Sequence, residues 1–149
     1  MSPGTIRRLI NLWPPFLFSG IRIVRVADDW RRLDAELRLR WWNRNALGTM
    51  FGGSLFALMD PFYPLLMQHH LGRGYNIWTK SAVVEFLSPG RSVARATFLL
   101  NGEIVEEIRA ATEGGGKCEP QFSAVVSDPE GKVIARANLT FHIRRVRSQ

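Results

Sequence analysis

Asp60 is the one charged side chain among the twenty residues from Gly48 to Met67, and a proline follows it at once. Burying an unpaired carboxylate costs several kcal/mol. An acid in so apolar a run therefore needs a partner, an opening, or a chemical task. Two readings stand side by side. Pro61 cannot donate a helical hydrogen bond, so Asp60 can cap a second helical piece that has proline at its first position. Alternatively, the carboxylate faces a ligand and acts as a base or nucleophile. The two roles are compatible.

Lys80 poses a matching question. Alternation puts it on the same strand face as Trp78, Ala82, Val84 and Phe86, the face that packs against the buried helix. Two lone charges of opposite sign on facing surfaces predict an ion pair between Asp60 and Lys80. The plainer expectation is a lysine near the strand entrance that snorkels to water. Gly52 and Gly53 open the apolar helix. Residues without side chains at a helix start let a carbonyl oxygen approach bare amides, where the helix dipole favours negative charge. Close packing is the ordinary explanation of such a pair.

The elements that must position these residues are legible as periodicities. Leu33, Ala35, Leu37, Leu39 and Trp41 alternate with charged residues, which predicts a strand with one apolar face. Ala94, Ala96, Phe98 and Leu100 repeat the pattern, as do Phe122, Ala124 and Val126. So do Val133, Ala135, Ala137, Leu139, Phe141 and Ile143. Residues 20–27 read as a weaker first strand, and Asp128-Pro129-Glu130-Gly131 as a type I turn. One long apolar helix is expected over 52–71. A second is expected over 103–112, with Ile104, Ile108 and Ala111 inward. A short amphipathic helix over 4–18 covers the domain.

The 149 residues suit one domain, and 46% hydrophobic with 22% charged residues excludes disordered and fibrous classes. Residues 1–19 form a helical extension and 20–149 a single α+β domain. Every strand has one apolar face, so one antiparallel sheet can curl around the apolar helix and join another sheet along an edge. At least a dimer is expected. The net charge of +7 points to phosphate-bearing partners.

Asn45, followed six residues later by Phe51-Gly52-Gly53 and nine beyond Phe51 by Asp60, resembles the motif of hotdog-fold thioesterases of the phenylacetyl-CoA thioesterase (PaaI-like) type. Val84-Glu85-Phe86-Leu87-Ser88-Pro89-Gly90-Arg91 is similar to that family's strand-to-loop ending. Asp128 to Ala135 is similar to its last hairpin. Asp60-Pro61-Phe62-Tyr63 and Trp78-Thr79-Lys80-Ser81 look closer to a branch of tetrameric acyl-CoA thioesterases. The resemblance implies a hotdog fold over roughly residues 20–145 and hydrolysis of an acyl-CoA thioester between two subunits. Asp60 would be general base or nucleophile, and the Gly52 and Gly53 amides would hold the carbonyl oxygen. Asn45 would orient water or substrate, while Phe51, Lys80 and Arg91 would line the substrate site. Rim arginines would meet the phosphates of coenzyme A, which enters as part of the substrate, with no separate cofactor. One departure stands out: the family's histidine is Phe51 here, which neither donates a hydrogen bond nor shuttles a proton. A non-catalytic acyl or acyl-CoA binding protein on the same fold is the alternative.

Other features suggest less. His69-His70 lack a carboxylate or cysteine at ligand spacing, so no metal site is expected. Gly116-Lys117 lacks the leading glycine of a phosphate-binding loop. The one cysteine, Cys118, favours a reducing, cytoplasmic setting. Glycines, prolines and Asp60 argue against a membrane span over 48–67. No recognition helix or stacking aromatic face points to nucleic acid. Arg144, Arg145 and Arg147 form a basic, solvated tail.

Overall fold

The computed structural model describes residues 2–146, so Arg147 lies outside the described residues. Helix α1 (Pro3–Asn11) starts where Ser2 accepts the Thr5 amide and proline takes the first helical position. Trp13 precedes a proline and is extended, which ends that helix before α2 (Pro14–Ser19) begins. The single helix expected over 4–18 is therefore two. Gly20, with φ 78°, closes α2 in the left-handed conformation that glycine adopts without penalty.

Strands β1 (Ile21–Val26) and β2 (Arg32–Arg38) follow, then α3 (Gly52–Met59) and α4 (Phe62–Leu71). After these come β3 (Tyr75–Phe86), β4 (Val93–Leu99), α5 (Gly102–Thr112), β5 (Lys117–Cys118), β6 (Gln121–Ser127) and β7 (Val133–Arg145). The sheet runs β1-β2-β4-β6-β7-β3 with antiparallel neighbours, and β5 adds to β7. It wraps α3 and α4, whose Leu58, Met59, Phe62, Leu66 and Met67 are wholly buried with Leu33, Leu37, Phe98, Leu139 and Phe141. At the last hairpin the Gly131 amide donates to Asp128 O across 3.1 Å, which closes the expected turn.

The two sheet edges differ. Along β1, the Asn11 carboxamide donates to Ile23 O (3.0 Å) and accepts its N–H (2.7 Å), and Arg7 donates to Val24 O. Helix α1 thus covers that edge. At the other edge, β3 pairs with β7 on its inner side and with no strand on its outer side among the described residues.

Three local expectations fail for physical reasons. Strand β2 stops at Arg38, because the Asn43 carboxamide accepts the Arg40 amide and donates to Ser19 O and Arg38 O, turning the chain away. Trp41 consequently stands 78% exposed rather than in the core. On α5 the buried positions are Val105, Ile108 and Thr112, with Ala111 exposed. Thr112 tolerates burial because its hydroxyl donates to Ile108 O at 2.7 Å. On β3 the pairing steps from Thr79↔Phe141 to Ser81↔Thr140, so Lys80 is an extra, bulged residue. A one-residue slip exchanges strand faces. Ile77, Ala82 and Val84 pack on the core, whereas Trp78 stands half exposed and stacks on His142 at 4.2 Å.

Candidate functional site

The helix expected over 52–71 breaks at Asp60-Pro61. Pro61 has no N–H for Ala57 O, and Pro64 has none for Asp60 O, so two rungs of the helical ladder are missing around the acid. Asp60 is the C-cap residue of α3, its amide donating to Phe56 O at 3.1 Å. Its carboxylate caps nothing, since α4 begins without a side-chain cap. Instead, the Thr79 hydroxyl donates to Asp60 Oδ1 across 2.6 Å. The acid is only part-buried. It opens on a cleft of about 700 Å³ between the helices and β3, lined by Phe56, Asp60, Pro64, Ile77, Thr79 and Lys80.

Lys80 does not pair with Asp60. The bulge turns its ammonium to Glu119, 2.8 Å away, and Glu119 also meets Lys117 (3.2 Å) and His142 (3.4 Å). Hydrogen bonding from Lys80, then from Lys117, pulls the Glu119 carboxyl down to about 2. The expected ion pair is replaced by this cluster on the outer side of β3 and β7. Thr79 was missed in the sequence because the bulge after it, which changes the parity of β3, leaves no trace in alternation.

The other expected site residues gather at the far end of α3. Gly52 and Gly53 occupy its first turn, and their amides have no acceptor among the described residues. They are closely covered: a Cβ on Gly53 would come within 2.3 Å of the Phe51 ring, and one on Gly52 within 3.3 Å of the Phe86 ring. Asn45, Gly52, Phe86 and Gly90 line a second pocket of about 320 Å³, and exposed Arg91 follows Gly90. The Asn45 carboxamide is committed to its own loop. It accepts the Leu47 and Thr49 amides and donates to Thr49 Oγ1 and Met50 O. That makes it a positioning residue for the turn leading to Phe51. Gly52 and Asp60 stand eight positions apart, about 12 Å along a helix. Within one chain the glycine turn and the acid thus stand at opposite ends of α3.

His69 and His70 are absorbed by Trp30. The His69 ring stacks on it at 4.1 Å, and burial, then the His70 charge, lowers the His69 pKa. His70 Nε2 lies 3.2 Å from Trp30 O. Among the described residues no helix is long and apolar enough to cross a membrane.

The family model of DUF4442, a domain of unknown function, matches residues 5–143. The chain belongs to this family. Among curated proteins none matches the sequence. Solved structures do. Pseudomonas aeruginosa PA5026, a protein of unknown function described as a probable thioesterase, is 19% identical, with 95% of each chain covered and a TM-score of 0.82. The thioesterase HI1161 of Haemophilus influenzae is 17% identical, covering all of this DUF4442 chain and 94% of its own, with a TM-score of 0.72. The thioesterase PA1618 of Pseudomonas aeruginosa is 15% identical, covering 95% and 94%, also at 0.72. This DUF4442 protein has the hotdog fold of those thioesterase neighbours, with its central helix broken at the acid.

Proposed function

We infer that this DUF4442 protein hydrolyses an acyl-CoA or related thioester, in the manner of PaaI-like enzymes, at a site built from two copies of the chain. The observation that carries the reading is the Asp60 carboxylate. The sole charge of its apolar run is fixed through one oxygen by Thr79 and opens on a cleft rather than ending a helix. Its second oxygen accepts no hydrogen bond among the described residues. A water proton passes to that oxygen as the water oxygen adds to the thioester carbonyl carbon. The carbonyl oxygen becomes an oxyanion, held by the Gly52 and Gly53 amides of the neighbouring copy, where the α3 dipole favours negative charge. Collapse breaks the carbon–sulfur bond. The departing thiolate takes the proton from Asp60, leaving a carboxylic acid and a thiol.

Two features support a shared site. The 12 Å scale of the separation between acid and glycines speaks for a site drawn from two chains. The edge of β3 is also open while that of β1 is covered, and β3 carries exposed Val83 and Phe86, so a second copy adds there. Exposed Arg91 then lies on a rim that meets the coenzyme A phosphates, while the Lys80 ammonium stays with Glu119. A cytoplasmic location fits the lone Cys118, whose thiol burial pushes up in pKa.

Phe51 favours a second reading. Its ring lies against Gly53 and brings no donor where the related motif has histidine, which suits an acyl-thioester binder that does not cleave. A thioester panel on the wild type and Asp60→Asn separates the two. Turnover lost in Asp60→Asn with the oligomer intact supports hydrolysis. Saturable binding without turnover in the wild type supports the binder, and equal rates in both proteins remove Asp60 from the mechanism.

A further inference from the structure

We propose that α1, α2 and α4 form a groove for a straight apolar acyl chain, entered from the cleft that Asp60 lines. The proposal deepens the hydrolytic reading and rests on it for the position of the thioester. Ile10 and Trp13 form one wall and Leu65 and Gln68 the other, with the touching rings of Phe16 and Phe62 as the floor, around about 330 Å³. Trp13 meets Phe16 edge-on at 5.2 Å, and Phe16 meets Phe62 at 5.5 Å, so aromatic contacts brace the N-terminal wall.

This groove and the Asp60 cleft share Pro61 and Pro64. On the helix surface Asp60 and Pro64 form one i,i+4 stripe, and Pro61, Leu65 and Gln68 the stripe beside it. The shared boundary is thus two prolines, which have no N–H to desolvate. A chain crossing them leaves no backbone donor unpaired. The same residues that break the helix at the acid supply an apolar sill between the two spaces.

The chemistry of the walls selects the occupant. None of the lining residues is charged, so the phosphates of coenzyme A are excluded and the acyl portion is admitted. Gln68 closes the far end with its amide nitrogen already donated to Gly72 O and Tyr75 O. From Pro61 to Gln68 the helix advances about 10 Å, which with ~1.3 Å of projected length per carbon fits a chain of about eight to ten carbons.

The test combines a chain-length series with direct binding. Straight-chain acyl-CoAs from acetyl to palmitoyl are assayed with the wild type, Leu65→Trp, which fills the groove, and Trp13→Ala, which removes a half-exposed wall. Sodium decanoate binding is measured calorimetrically on the same proteins, with their oligomeric mass as the fold control. In the wild type kcat/KM is expected to rise about fourfold per methylene until the groove is full, then flatten. Leu65→Trp moves that plateau to shorter chains, and each variant weakens decanoate about tenfold or more. A flat wild-type profile, or decanoate affinity unchanged in both variants, overturns the groove. So does a change of oligomeric mass in both variants, which assigns the surface to a second copy. Asp60→Asn keeps the two readings apart. If it is inactive while the profile is flat, the hydrolytic reading stands and the groove falls. If it retains full turnover, catalysis by Asp60 falls, and the decanoate measurements decide the groove alone.

Discussion

The Thr79 hydroxyl and the Asp60 carboxylate meet at 2.6 Å, joining the strand bulge to the helix break. Thr79 is the last inward residue of the regular pairing before the bulge, and the missing helical rungs leave the acid where Thr79 reaches it.

Removing this contact is expected to act on rate before stability. Thr79→Val keeps the shape of the strand residue but deletes the donor. A hydrogen bond to a charged group is worth about 1.5–3 kcal/mol, so kcat is expected to fall roughly 10- to 100-fold. Thr79→Ser restores the donor and most of the rate. Steady-state kinetics on both variants, with thermal melts to check folding, decide it. A Thr79→Val enzyme at wild-type kcat refutes the orienting role.

Glu119, rather than Asp60, is expected to respond to Lys80. Its carboxyl lies at about 2 against an ordinary 4.5 because Lys80, then Lys117, donates to it. The folded-state value is depressed, so the stabilising contact is fully present above about pH 4.5 and is lost as pH falls toward 2. In Lys80→Ala the midpoint of the Glu119 carboxyl carbon titration moves up toward 4.5. The acid limb of the kcat/KM profile stays where it was. An acid limb displaced by about one pH unit in that variant would restore the Asp60–Lys80 pairing.

Much of this architecture was legible because period-two alternation reports which face is buried. The inward residues of β4, of β6 and of β7 from Ala135 to Ile143 are those that the pattern names, whereas at the start of β7 Ile134 is buried and Val133 only partly so. The pattern fails where one residue breaks the count. The Lys80 bulge changes parity within β3, hiding Thr79 and misplacing Trp78 and Lys80. On α5, Thr112 looks polar in sequence, yet its self-satisfied hydroxyl lets it replace Ala111 in the core. The acid and the glycines were visible as chemical oddities. Their separation along α3 was visible too, whereas the binding of Asp60 by a neighbouring strand depends on tertiary contact alone.

A buried acid outside the site sets the acid stability of the sheet. Glu36 is 4% exposed, and Arg22 and Arg38 both hold its Oε1 at 2.7 Å. Burial raises its pKa, but the two arginines, Arg38 foremost, more than offset this and bring it below the ordinary value. Glu36→Gln is expected to lose about 1–3 kcal/mol at pH 7, since both arginine heads are half exposed and rehydrate. With a depressed folded-state pKa, the wild-type advantage is present above about 4.5 and shrinks as pH falls below it. Urea unfolding at pH 7 and pH 3 measures both. A difference between the two proteins that stays constant with pH contradicts the assignment.

A shared site makes a quantitative demand on mixtures of inactive proteins. Asp60→Asn lacks the base but keeps the glycine turn. Gly53→Val keeps the base but drives branched carbons into the Phe51 ring, against which even a Cβ would lie at 2.3 Å. In a two-fold dimer with each site drawn from both copies, a heterodimer has one site with both lesions and one with neither. Random reassociation of equal amounts makes half the dimers mixed, so activity is expected to return to about one quarter of the wild-type rate. Each variant alone stays inactive, and mixing without subunit exchange recovers nothing. If exchange is verified by mass and the mixture remains dead, acid and glycine turn do not serve one carbonyl, and the two-copy site is wrong.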